Sequence, residues 1–375
     1  MDLRLVTEPT ASNLAGAARE MELGPGRVLA VLLAEEDRPD LDQVVAQLGR
    51  LDLEFWGAVV PSLIYGAKAV SRGALLVALE AETQPVLVRG LEREQFPDSE
   101  LRGIEESARG AQTAIVLVDG LAANVSGLLS ELFTRLGNRV NYIGGGAGSL
   151  SLEQSPCVFT RDGAFQDAAV IAFCKQATRL GVRHGWSHLE GPVVATRTKG
   201  NTIYELNWEC AFEVYRDAVA PYIDLELSHE NIFQVTNAFP FGIHKEGDED
   251  VVRDPVAVGK DGELICVGAV PENVVLNILR GDAESLILAA GQAASDCCEG
   301  PPIRARGSFV VDCVSRTLFL GDEFPRELGM VRSRLDPIAA DEPLCGMLSL
   351  GEISSDGEGF VQFLNKSIVT AVFHD

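Results

Sequence analysis

Charged and polar residues set inside apolar segments are where chemistry is to be sought in this sequence. Arg253 and Asp254 stand directly before Pro255, Asp312-Cys313-Val314-Ser315-Arg316 closes a β-like run, and Glu352 follows Leu350-Gly351. Asn365 and Lys366 interrupt the apolar stretch 360–373. A charge beside a buried strand must be paired or must face a cavity. Two readings follow. One is structural ion pairing, such as Arg316 with Asp312 or Glu352. The other is the polar rim of a small-ligand pocket, where an arginine fork holds a carboxylate and an acid holds an amine. Asn365 and Lys366 form either an exposed bend or a pair directed into that pocket.

The run Gly144-Gly145-Gly146-Ala147-Gly148-Ser149 invites a phosphate-binding reading. Ser149 occupies the third glycine position of a dinucleotide fingerprint, the segment after it is not helical, and no Gly-Lys-Ser/Thr is present. What remains is either backbone N–H groups free to wrap a ligand or a tight turn between packed strands. His184-x-x-x-His188 lacks the glutamate of a zincin, and Gly185-Trp186 opposes a helix there. With five histidines in all, no metal site is expected. No Gly-x-Ser-x-Gly elbow supports a serine hydrolase. Cys313 or Ser149 remains the nucleophile of an alternative enzyme reading. The acidic run Glu246-Gly247-Asp248-Glu249-Asp250 lacks the EF-hand pattern and reads as a solvated loop.

The elements that must position these residues alternate between two periods. Segments 28–34, 54–60, 74–79, 86–88 and 114–118 read as strands. Asn124 caps a helix with Val125, Leu128, Leu129, Leu132, Phe133 and Leu136 at helical spacing, and Gly137 ends it. Strand-like segments 168–174 and 193–198 follow, the latter forming a hairpin with 202–206 through Lys199-Gly200-Asn201. Ala211, Val214, Tyr215 and Ala218 form a helical stripe, as do Leu286, Ala289, Ala290, Ala293 and Cys297. Segments 264–267, 309–314, 344–350 and 360–373 complete the strands, the last expected to be long and central. No repeat of 20–50 residues is visible. The fold class is α/β with mixed α+β character: two subdomains, 1–188 and 189–375, with mixed sheets flanked by helices.

Lys plus Arg number 31 and Asp plus Glu 55, a net charge of −24, which excludes a nucleic-acid or anionic-lipid binder. No basic start with an apolar run marks a secretory signal, so a cytoplasmic protein with reduced thiols is expected. None of the eight cysteines is spaced C-x-x-C.

Several stretches occur in one order: 142–149, Gly185-Trp186, Arg253-Asp254-Pro255-Val256, 268–273, 312–316, 346–353 and Phe363-Leu364-Asn365-Lys366. That order resembles the FIST (F-box and intracellular signal transduction) sensory domain, N-terminal and C-terminal parts together. The resemblance implies a non-catalytic, small-ligand sensory protein, its ligand an amino acid or other small acid. The ligand-binding candidates are then Gly144, Gly145, Gly146, Ser149, Arg253, Asp254, Asp312, Cys313, Arg316, Glu352 and Asn365. Fewer than 30 residues precede the first expected strand, so the output is expected to pass in trans to a separate signalling partner. No cofactor is expected. One branch of the family binds haem and senses nitric oxide, and for that alternative His184, His188, His244 or a cysteine would supply the axial ligand.

Overall fold

The apolar runs become strands buried on both faces, and they fall into a recurring order. A computed structural model describes residues 2–21, 23–81, 83–247, 249–339, 343–355 and 359–375. β1 (Asp2–Val6) and α1 (Ala11–Glu20) lead to β2 (Arg27–Ala34), α2 (Leu41–Leu48) and β3 (Glu54–Val60). A hairpin, β4 (Leu63–Tyr65) and β5 (Ala69–Val70), precedes β6 (Ala74–Glu80). The order repeats in β7 (Val86–Arg89), α3 (Ile104–Ser107), β8 (Thr113–Asp119), α4 (Val125–Leu136) and β9 (Asn141–Ala147), followed by the hairpin β10 (Val158–Thr160) and β11 (Gly163–Phe165) and by β12 (Ala168–Cys174).

β13 (Ala177–Arg183) opens a third copy, which an insertion at 187–280 interrupts. The insertion holds β14 (Ser187–Lys199), β15 (Thr202–Leu206), β16 (Glu209–Cys210), α5 (Ala211–Val219), α6 (Ile232–Thr236), β17 (Phe241–Ile243), β18 (Val251–Val258), β19 (Leu264–Val267) and β20 (Val275–Arg280). The third copy resumes with α7 (Ala283–Asp296), β21 (Ala305–Cys313), α8 (Val314–Leu320), α9 (Phe324–Ala339) and β22 (Leu344–Ser349). It ends with the hairpin β23 (Glu352–Ser354) and β24 (Gln362–Leu364), then β25 (Ile368–His374).

Each copy is built around a parallel pair, β2/β3, β8/β9 or β21/β22, joined by a helical crossover. The last strand of the copy, β6, β12 or β25, lies antiparallel between that pair and the copy's opening strand. The hairpins leave home: β4–β5 extends β22, β10–β11 extends β3, and β23–β24 extends β9. The three copies thus exchange hairpins around a ring. A glycine marks the same place in each, Gly57 opposite Val31, Gly144 opposite Val116 and Gly346 opposite Val310. A Cβ at any of them would overlap the carbonyl oxygen of that valine, so only glycine allows the close approach.

The three sheets share one inner core, with Leu32 and Trp56, Leu117 and Ile143, and Val311 and Phe373 among its members. On the outer faces α4 packs Leu128 and Leu132 over the second sheet, and α7 and α9 pack Leu286 and Leu328 over the third. The insertion forms a fourth, antiparallel sheet with its own core around Tyr215, Phe241 and Ile278. Its long β14 pairs with β20 at one end and β15 at the other, closing the sheet on itself.

The mixed α/β class and the helix after Asn124 are as expected, and four expectations change. β1 and α1 precede the segment read as the first strand. The threefold repeat is not visible as a 20–50-residue period because each copy is longer than that and the third is split by the insertion. The glycine run is not a loop: Gly144–Ala147 is the buried half of β9. The single long final strand is two strands in different sheets, β24 and β25, and the bend between them is buried, with Asn365 at 2% and Lys366 at 0% exposure. β25 does take an interior position. Within the acidic run, Asp248 lies outside the described residues.

Candidate functional site

The buried bend 365–367 gathers most of the polar residues singled out above. Lys366 has φ +52, a left-handed conformation that is costly for lysine. Its Nζ lies 3.1 Å from Asp254 Oδ2, donates to Asn237 O (3.1 Å) and Oδ1 (3.0 Å), and sits 5.0 Å from the Trp186 ring centre. Its carbonyl accepts from Trp186 Nε1 (3.0 Å) and Arg316 Nη1 (3.3 Å). Ser315 Oγ donates to Asp254 Oδ2 at 3.1 Å. Burial raises the Asp254 pKa, and the charge of Lys366 opposes that rise.

Arg316, in the first turn of α8, is fully buried. It pairs with Glu327 of α9 and, at 3.4 Å, with Asp312 at the end of β21. It also donates to the carbonyls of His184, Lys366 and Leu286. All five of its N–H groups are engaged, which leaves no fork for a ligand. Burial, with Glu327 alongside, holds the Asp312 carboxyl well above its usual range. Glu352 accepts from Ser349 Oγ (2.6 Å) and Ser367 N (3.1 Å), and burial pushes its pKa up to about 8. Burial and the Glu352 charge drive the Cys313 thiol upward, the opposite of what a nucleophile needs.

Arg253 differs from these. It is 8% exposed and has no carboxylate partner among the described residues. Its Nε donates to Ala269 O (2.8 Å), and its Nη1 to Val252 O (2.8 Å) and Phe363 O (3.3 Å). Nη2 has no partner among the described residues. Burial pulls the pKa down to about 10. Asn365 Oδ1 and Asp254 Oδ1 are buried acceptors without a hydrogen bond. A Cβ placed on Gly268 would stand 3.2 Å from both Arg253 Nε and Asn365 Oδ1, so these two groups border one small space.

A cleft of about 340 Å³ opens between β13, the insertion and the β23–β24 hairpin, lined by Arg183, His184, Val251, Asp296, Leu364 and Ser367 among others. Arg253 lies two residues along β18 from Val251, on the same face of the strand. Arg253, Asp254, Asp312, Cys313, Arg316, Glu352 and Asn365 therefore come together around one bend. Gly144, Gly145 and Gly146 do not join them as an anion loop. In β9 Gly144 lies against Val116, and Gly145 and Gly146 pack against the 349–351 turn, where Gly146 N donates to Gly351 O at 2.7 Å. Ser149 lines a separate open cleft of about 610 Å³ with Glu35 and Arg38. The sequence reading missed Glu327 and Asn237. Glu327 carried a signal, since it falls on the apolar stripe of Phe324, Leu328 and Val331 in α9. His184 Nδ1 accepts from Trp186 N at 2.8 Å. Among the described residues no group of three His, Cys, Asp or Glu could hold a metal, and no helix is long and apolar enough to cross a membrane.

Comparison with protein families matches residues 28–209 to the FIST N domain and residues 211–355 to the FIST C domain. Together these cover most of the chain, and the protein belongs to the FIST-domain family. FIST domains are generally regarded as small-ligand sensory domains in signal transduction. The two matched segments meet inside the insertion, at β16. Comparison with curated proteins gives no match.

Proposed function

We propose that this protein is a non-catalytic sensor of a small molecule, such as an amino acid or other small acid. The molecule binds in the cleft beside the 365–367 bend and reaches past Val251 toward Arg253, which stands behind the cleft's lining. The observation that carries the reading is Arg253, which has no counter-ion among the described residues: a buried guanidinium left so is costly, and an incoming carboxylate would relieve it. An amine or hydroxyl on the same molecule would supply donors to the bare acceptors of Asn365 and Asp254. The chain acts in the cytoplasm and signals in trans to a partner protein, and no cofactor enters this reading. A thermal-shift screen with the common amino acids and small carboxylic acids tests it. At least one acid should raise the melting temperature of the wild type and leave Arg253→Gln unmoved. A wild type indifferent to every acid would sink the proposal.

A further inference from the structure

The insertion at 187–280 is built as a separate body. Its described buried apolar side chains all pack in its own core except Val252 and Leu279. Among the described residues no strand ladder joins its sheet to the other three. The chain crosses into it and back out through two short connections, 184–186 and 281–282. These lie side by side, because β14 and β20 pair Ser187 with Arg280. Gly185, in the first connection, has φ +77.

Beside the apolar packing of Val252 and Leu279 on the body, the polar bonds between insertion and body centre on one side chain. Lys366 belongs to the body, yet its ammonium is spent on Asp254 and Asn237 of the insertion, while its carbonyl stays tied to Trp186 and Arg316. A buried lysine held at positive φ is a strained residue kept in place by its surroundings, the kind of position found at switches. Other bonds across the boundary are seen among the described residues. Ser315 Oγ donates to Asp254, Arg253 Nη1 to Phe363 O, His184 N to Glu249 (3.0 Å) and Gly281 N to Ala238 O (2.9 Å). The 340 Å³ cleft runs along this boundary, with Val251 on one wall and Leu364 and Ser367 on the other.

We infer that the insertion is a hinged lobe, pivoting at 184–186 and 281–282 and latched by the Lys366–Asp254 pair, and that occupancy of the cleft is reported as the position of this lobe. The second half rests on the ligand reading above; the hinge itself does not. Arg253 is bonded to the Phe363 carbonyl, three residues before the latch, so a molecule docked on Arg253 acts directly on the segment that carries Lys366.

Hydrogen exchange on the full chain tests the hinge without any ligand. It compares the wild type with Lys366→Met and with Lys366→Met/Asp254→Leu, the latter removing both charges of the latch. A hinged lobe predicts roughly tenfold faster exchange at the boundary amides of His184 and Gly281, with the ladder amides of β17, β18 and β20 unchanged. Unchanged rates at the boundary, or ladder and boundary amides losing protection together, overturn it. If the variants do not fold, the wild type in rising urea gives the same reading: boundary amides must open before either core, and simultaneous opening overturns the hinge. A failed acid screen with an intact hinge dismisses the ligand alone; the reverse result dismisses the hinge alone.

Discussion

Arg316→Met removes a guanidinium at 0% exposure and leaves Glu327 and Asp312 facing each other with no cation between them. Breaking a buried pair by deleting one partner costs about 3–5 kcal/mol. The carbonyls of His184, Lys366 and Leu286 each lose a donor as well, at about 1–3 kcal/mol for any that stays dry. If only one of the three stays dry, the loss is at least ~4 kcal/mol, a large share of the ~5–15 kcal/mol that holds a domain together. Equilibrium urea unfolding of the wild type, Arg316→Met, Glu327→Gln and the double variant measures it. The double variant should cost less than the sum of the singles by about 1–3 kcal/mol, because both damage one network. An Arg316→Met loss below ~1.5 kcal/mol, or strict additivity, would refute the reasoning.

Two further outcomes follow from the same structure. The Glu352 carboxyl keeps its proton up to about pH 8 in the folded chain, against an ordinary value of 4.5; its contribution to stability is whole below the unfolded value and is lost as pH rises through about 8. Melting temperatures taken from about pH 5 to about pH 8 should therefore fall, and Glu352→Gln should flatten that slope. Gly346→Ala should cost about 3 kcal/mol, because its new Cβ meets the Val310 carbonyl across the parallel pair. Gly329→Ala, in open space on α9, should instead be neutral or stabilising by up to ~1 kcal/mol in the same denaturation assay.

Local periodicity made many elements legible. The helix Val125–Leu136 and the strands Glu54–Val60 and Ala168–Cys174 fall where their apolar patterns place them. Asp254, Asp312, Arg316 and Glu352 stood out because charges inside apolar runs need partners. What stayed hidden was which partner each would take. Glu327 is the main partner of Arg316, and it looks like an ordinary helix-surface acid until its place on the α9 stripe is counted. The break at Asn365 was visible, but its direction was not: no local signal says that the chain turns inward there and changes sheets. The threefold order escaped because it lives in element sequence and in three isolated glycines. The surrounding side chains differ, with Trp56 before the first glycine, Ile143 before the second and Cys345 before the third.

The ring of exchanged hairpins sets a timetable for synthesis. The hairpin at Leu63–Val70 has no sheet to join until β22 is made, and β9 lacks its neighbour until β23 emerges. While the ribosome is still building the insertion, the nascent chain carries an unpaired β4–β5 hairpin and an open edge at β9. Release from this state comes only with the last stretch of chain, so a stop codon ahead of β22 would strand the β4–β5 hairpin of the first copy and leave β9 of the second without β23, although the first sheet already has all its strands.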